Sequence, residues 1–554
     1  MTQQTINGKP VHWAAEMHAK EYREGKITRR DFLARASTFG VATAAAYAMA
    51  GLPMPAQAQG EPQPGGTIRV QTSVRALKDP RTYDWSELGN QTRGTLEYLV
   101  EYNSDGTFRG MLLDSWEIND DATQYMLNLR QGVTWNNGDP FTAEDVARNI
   151  AGWCDKNLEG NSMAGRFATL IDEETGMAIE GGIEVVDDHT IKINLPQPDI
   201  SLIAGMSDYP AAITHSTYQV DDFTANVGTG PFLIEELEVG VKCTLVRNAD
   251  HSWWGTDVYG GPYLDRVEYV DYGTDPAAWL AAIESEEVDM LHESVGEFID
   301  VLDGLGLVKS EVVTMATVVI RPNQLAEVDG AQPYADKRVR QALAMAVDNA
   351  VLLELGYGGR GEVSNNTHLG PKHPEYFDVG AAKHDPEAAK ALMEEAGMMD
   401  FEHEILSIDD DWRKNTTDAV AAQLRDAGFQ VKRSVLPGST FWNDWTKYPY
   451  SSTNWNHRPL GVQIWALAYR SGEAWNEFGW ANAEFDALLS DALAIADSDR
   501  RREIAGKAAA LIQEEGVTIQ PYWRALYRHM REGLIGTDQH IAFEHHQYKW
   551  GLAS

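Results

Sequence analysis

The 554-residue chain is 43% hydrophobic and 23% charged, the proportions of a folded protein and not of a disordered one. Against 46 Lys and Arg stand 83 Asp and Glu, a formal net charge of −37, and so acidic a surface repels phosphate backbones and anionic headgroups, which argues against nucleic-acid and membrane partners. Two cysteines, Cys154 and Cys243, cannot supply a CxxC pair or a four-thiolate zinc site, and free buried thiols are the expectation for both.

In chain order, the first feature is GKITRRDFLARASTFGVATAAAYAMAGLPMPAQAQG, residues 25–60. The apolar run 36–50 is shorter than the roughly 20 residues a membrane span requires, and it follows the charged, helix-compatible segment 14–26 and the pair Arg29-Arg30. It reads as the h-region of a signal peptide, with Ala56-Gln57-Ala58 as the small-x-small cleavage pattern and a cut expected after Ala58. Thr28-Arg29-Arg30-Asp31-Phe32-Leu33 resembles the twin-arginine export signal, an address read by a receptor, which implies bacterial export to the periplasm in the folded state. No later segment approaches a membrane span, so the mature chain is expected to stay out of the membrane.

Residues 61–66 form a Pro/Gly linker, and TIRVQTSV after Gly65-Gly66 reads as an alternating strand. SWEIN and QYMLNLR read as strands joined at Asn119-Asp120-Asp121, Thr142 as the cap of a helix with acids in its first turn, and GIEVVDDHTIKINL as a second hairpin. FLIEELEVG and VKCTLVRN form another strand pair behind Gly228-Thr229-Gly230, whose spacing fits neither phosphate-loop motif. LDRVEYVDYG is a strand and DPAAWLAAIES a short helix. The apolar positions Val339, Ala342, Leu343, Ala346, Val347, Val351, Leu352 and Leu355 predict one helix over 336–355 with a single buried stripe. PEAAKALMEEAG as helix, HEILSI as strand, 416–428 as helix and FQVKRSVL as strand predict a doubly wound α/β lobe. A helix around Phe485 to Ala492, a long helix carrying Arg500-Arg501-Arg502 and a strand near VTIQPYW complete the chain.

Five collinear stretches carry a resemblance: SWEINDDATQYMLNLRQGVTWNNGDPFTAEDV, GTGPFLIEELEVGVKCTLVRNADHSWWG, VRQALAMAVD, HDPEAAKALMEEAG and ANAEFDALL. They resemble the extracytoplasmic solute-binding proteins of peptide-type ABC importers, the dipeptide/oligopeptide/nickel-binding family 5. The resemblance implies an α/β fold, a periplasmic-binding-protein-like two-lobe clamp of type II, cluster C, with an extra small domain. It places domain I at 60–102, 227–322 and 520–554, domain II at 103–226 and domain III at 323–519. It implies a protein that captures a small organic solute and delivers it to a cognate ABC permease in the inner membrane, working as a monomer without cofactor or catalysis.

Trp442, Trp445, Trp455, Trp465, Trp475 and Trp480 crowd one region, and aromatic walls with charged anchors suit a small-ligand cleft, although each ring also suits a core. In QIWALAYRSGEAWNEFGW, Trp465 matches the family's aromatic, while Tyr469-Arg470 stands where peptide binders of the family carry an acid for the ligand's amine. A guanidinium there repels an ammonium and pairs with a carboxylate, which shifts the expected solute from ordinary peptides to an anionic or amino-acid-derived compound. Glu473 restores an amine site if the register shifts, and Arg458 is a second candidate anchor; for both arginines the plainer role is an ion pair. Asp409, in Asp409-Asp410-Asp411, follows a strand and caps the next helix or meets a cation, and Ser73 and Arg75 occupy the matching loop of the first lobe. His251 and His545-His546 show no ligand spacing, so no metal site made by protein ligands is expected. An exported hydrolase is the rival reading, without a GxSxG, HExxH or SxxK motif to support it, and a ligand-presenting receptor for a sensor is a third.

Overall fold

The computed structural model describes residues 5–6, 9–52, 61–220, 222–225, 227–495 and 497–554. The expected cut after Ala58 lies outside the described residues. One 11-stranded sheet runs through the molecule in the order Phe232–Glu238, Lys242–Arg247, Arg266–Val270, Thr67–Gln71, Met290–Leu291, Tyr522–Met530, Val308–Pro322, Tyr450–Trp455, Glu402–Ile408, Gln430–Leu436, with Gly361–Val363 joined to Tyr522–Met530. Its two halves meet along the 15-residue strand Val308–Pro322, which pairs antiparallel first with Tyr522–Met530 and then with Tyr450–Trp455. In the second half, Glu402–Ile408 and Gln430–Leu436 run parallel, and the helix Asp411–Asp426 between them supplies the crossover that parallel strands require.

A separate four-stranded antiparallel sheet joins Leu113–Ile118, Gln124–Leu129, Thr190–Asn194 and Ile183–Asp187 in that order. Buried Tyr125, Leu127 and Leu129 alternate with the more exposed Gln124, Met126 and Asn128, so one face is buried, and the helix Ala143–Trp153 packs against its strands. A reciprocal Thr142–Asp145 capping box starts that helix, as the acids after Thr142 predict. Cys154 and Cys243 are free and buried.

Three expectations need correction. The stretch 336–355 is two helices, Lys337–Met345 and Asn349–Tyr357, because the Asp348 side chain accepts from the Ala350 and Val351 N–H groups and starts the second. The turn rotates the apolar stripe, leaving Val351 40% and Leu355 61% exposed. The helix expected over 416–428 starts at Asp411, and the last long strand starts at Tyr522, not in VTIQ. Within the apolar run 36–50, the helices Arg29–Thr38 and Thr43–Met49 are separated at Gly40, whose φ is +77°, and nothing here departs from the expectation. Among the described residues no helix is long and apolar enough to cross a membrane.

Candidate binding cleft

Four strands point their carboxyl ends at one cavity of about 790 Å³. Thr67–Gln71 and Arg266–Val270 deliver Ser73, Arg75 and Thr274 from one half of the sheet, while Glu402–Ile408 and Gln430–Leu436 deliver Asp409, Arg413 and Trp442 from the other. A hydroxyl of one half meets a carboxylate of the other where Thr274 Oγ1 donates to Asp409 Oδ1 at 3.2 Å. The volume falls within the roughly 300–1,000 Å³ typical of small-molecule sites.

The walls are aromatic and their charges are largely paired. Trp85 and Trp442 sit with ring centroids 3.9 Å apart. The Arg75 guanidinium lies 5.0 Å over Trp85, and that of Arg413 lies 4.8 Å over Trp412 and 5.7 Å over Trp442. Arg75 faces Glu87 at 3.8 Å, Lys78 pairs with Asp84 at 2.8 Å, Arg413 with Asp410, and Arg524 with Glu293.

Asp84 and Trp85 also border a second, small recess walled by Tyr209, Trp445, Trp455, Trp475 and Arg458. Beneath it, Arg166 and Arg458 share the carboxylate of Asp208 at 2.5 and 3.0 Å, and all three side chains are buried. Burial opposes ionisation of Asp208, but the two guanidiniums outweigh it and hold the carboxyl below its ordinary range. Asp84 at the edge of the recess and Glu473 near Arg166 add further acidic groups, and the guanidiniums of Arg166 and Arg458 lie over the faces of Trp475 at 4.9 Å and Tyr209 at 5.3 Å.

Of the residues singled out in the sequence, Ser73, Arg75, Asp409 and Trp442 line the large cavity, and Arg458, Trp455 and Trp475 line the recess. Trp445 lines the recess as well, and Trp465, Tyr469, Arg470, Glu473 and Trp480 line neither. Trp465 is buried in the core, donating through Nε1 to Thr367 O at 3.0 Å, and Tyr469 stacks on Phe478 and bonds His368 at 3.1 Å. Arg470 is half-buried near Asp199 and the half-buried Glu473, whose carboxyl also feels Arg166. The aromatic cluster was thus legible, but its charged partner is Arg458. Asp208, Arg166 and Tyr209 carry no spacing signal, since only the fold brings them under a loop 250 residues later.

Asp410 occupies the N-cap position of the helix Asp411–Asp426 without a capping bond, and its side chain turns to Arg413. Three ligand-type atoms, from His540, Glu544 and His546, do come within 4.8 Å of one another, which the sequence did not suggest. Their lone pairs are taken. His540 donates through Nε2 to Tyr102 O and accepts the Ala542 N–H at Nδ1, His546 donates to Glu544, and Arg93 approaches Glu544 at 3.4 Å. A cation gains nothing there.

A family model described as bacterial extracellular solute-binding proteins, family 5, matches residues 107–475. Among curated relatives, a probable peptide ABC transporter periplasmic-binding protein, y4tO of Sinorhizobium fredii, is 26% identical over 86% of this chain and 91% of its own. A dipeptide-binding protein of Pseudomonas aeruginosa is 23% identical over 83% of this chain and 89% of its own. Among solved structures, the oligopeptide-binding protein AppA of Bacillus subtilis with a nonapeptide superposes with a TM-score of 0.76 at 20% identity, covering 89% of this chain and all of that one. AgaA of A. tumefaciens with agropinic acid gives 0.76 at 20% identity, covering 88% and 99%. These likenesses establish the clamp fold.

Proposed function

Because the chain belongs to the bacterial extracellular solute-binding proteins of family 5 and is the solute-binding component of an ABC importer, we propose that its solute is an amino-acid-derived compound bearing a carboxylate. The solute lies in the interlobe cavity against the touching rings of Trp85 and Trp442, and its carboxylate reaches toward the recess and meets Arg458. The observation that carries the reading is the pair of buried arginines sharing Asp208 under an aromatic recess that shares Asp84 and Trp85 with the cavity. With Nε of Arg458 given to Asp208 and Nη1 to the Asn456 and His457 carbonyls, a carboxylate accepts from the remaining Nη2. Asp409, exposed at the cavity edge, is free of ion pairs within 4 Å among the described residues and receives any amine the solute carries.

The chain performs no chemistry on the solute. It reaches the periplasm by the twin-arginine route, acts as a monomer with the domain boundaries given above, and presents its closed lobes to the permease. Native mass spectrometry of protein purified from its own periplasm, followed by release and identification of the bound molecule, tests the proposal. A stoichiometric carboxylate is expected; turnover of the solute refutes the binding reading, and a solute without an anionic group refutes the role of Arg458.

A further inference from the structure

The N-terminal segment is folded onto the rest of the chain. Helices Trp13–Arg23 and Arg29–Thr38 pack together, with Phe32, Leu33, Phe39 and Val41 buried. On one side the segment grips the four-stranded unit and the two-stranded hairpin Val100–Tyr102/Phe108–Gly110 beside it: Trp116 Nε1 donates to Thr38 O and Trp13 Nε1 to Asp120 O, each at 3.2 Å, from the first, while the Phe108 N–H donates to Ser37 Oγ at 2.8 Å and Ser104 O accepts from Arg30 at 3.2 Å in the second. On the other side Glu21, which bonds His18 at 2.7 Å and faces Arg35 at 3.6 Å, lies 3.9 Å from Arg502 of the helix Ser498–Glu515. The segment therefore touches both sides of the line along which the four-stranded unit and the helix Ser498–Glu515 come together.

We propose that residues 11–52 act as an intramolecular strap across the seam between the four-stranded unit and the helix Ser498–Glu515, restraining their relative movement for as long as the segment is attached. The strap also holds its own arginine pair: Arg29 donates to Tyr47 OH at 2.6 Å and covers that ring at 4.8 Å, while Arg30 is spent on Ser104. Any receptor that reads the pair competes with this docked state, so undocking comes before recognition. The full chain and a chain that has lost the strap then differ in how tightly these two units are held together.

Gly40 provides a selective probe. Its φ of +77° is paired with a close approach, since a Cβ there meets the Trp116 carbonyl oxygen at 2.6 Å. Gly25 has a similar φ of +71° with nothing within 4 Å of its Cβ position. Hydrogen exchange of the full chain is measured for the native sequence, Gly40→Val and Gly25→Val. The expected result for Gly40→Val is exchange at least about tenfold faster at the Phe108 amide, across Arg29–Thr38 and in Ser498–Glu515, with Gly25→Val, which adds the backbone strain but no clash, accelerated less. Equal acceleration in both glycine variants assigns the effect to hairpin unfolding and overturns docking. Unchanged protection of Ser498–Glu515 in Gly40→Val overturns the strap. Ser37→Ala removes the acceptor of the Phe108 N–H without adding volume; the same pattern at smaller amplitude is expected, and native rates throughout count against the proposal if Gly40→Val yields no folded protein.

Discussion

Arg458 and Arg470 stand twelve positions apart in the sequence, and only the first borders a cavity. Arg458→Gln is therefore expected to weaken solute binding by about tenfold or more, read by isothermal titration, while Arg470→Gln leaves the dissociation constant unchanged. Equal losses would sink the recess as the carboxylate site. Glu97 offers a second test that needs no solute. It is fully buried, its pKa is pushed from the usual 4.5 up to about 7, chiefly by burial, and it accepts from Trp253 Nε1 at 2.9 Å and Trp254 Nε1 at 2.7 Å. Between about pH 4.5 and 7 the folded chain keeps this proton and the unfolded chain has lost it, so the group lowers stability as pH rises through that window and adds no further loss above it. Glu97→Gln keeps an acceptor for the indoles and removes the titration. Its Tm relative to the native chain is expected to climb from pH 4.5 to 7 and then level off; a constant difference means Glu97 does not titrate there.

At the scale of elements, most of the fold was readable because it is local. The hairpins around Asp120 and Asp187, the Thr142 capping box and the strand–helix–strand run from Glu402 are each set by residues within a few positions of one another. The reading failed where one side chain overrode a longer pattern. Asp348 looks like one more polar residue on a helix, yet its carboxylate ends the apolar stripe by satisfying two N–H groups of a new helix. Asp348→Ala is expected to cost about 1 kcal/mol in urea unfolding, the ordinary worth of a cap. The recess was illegible for a different reason: Arg166, Asp208 and Arg458 come from three distant stretches, and no spacing rule joins them. The buried pair Arg321–Glu477, at 2.8 Å with both side chains at 0% exposure, is of the same kind.

At the scale of the whole molecule, a shared sheet with a cavity between its halves predicts that stripping the solute increases the radius of gyration in small-angle scattering, and an unchanged radius would argue against lobe closure. The net charge of −37 sets the approach of the solute. A net anionic solute meets a repulsive field, so its association rate is expected to rise as salt screens that field between roughly 10 and 150 mM, whereas a falling rate would mark a cation. The guanidiniums of Arg75 and Arg413, stacked over Trp85, Trp412 and Trp442, have one more consequence. A planar group arriving at those faces displaces a stack that is already made, so binding is an exchange between two partners of the same indole. The measured heat is then the small difference between two large contacts, and solutes are ranked by how far they outcompete an arginine, which makes the protein's own side chains the reference against which every candidate is weighed.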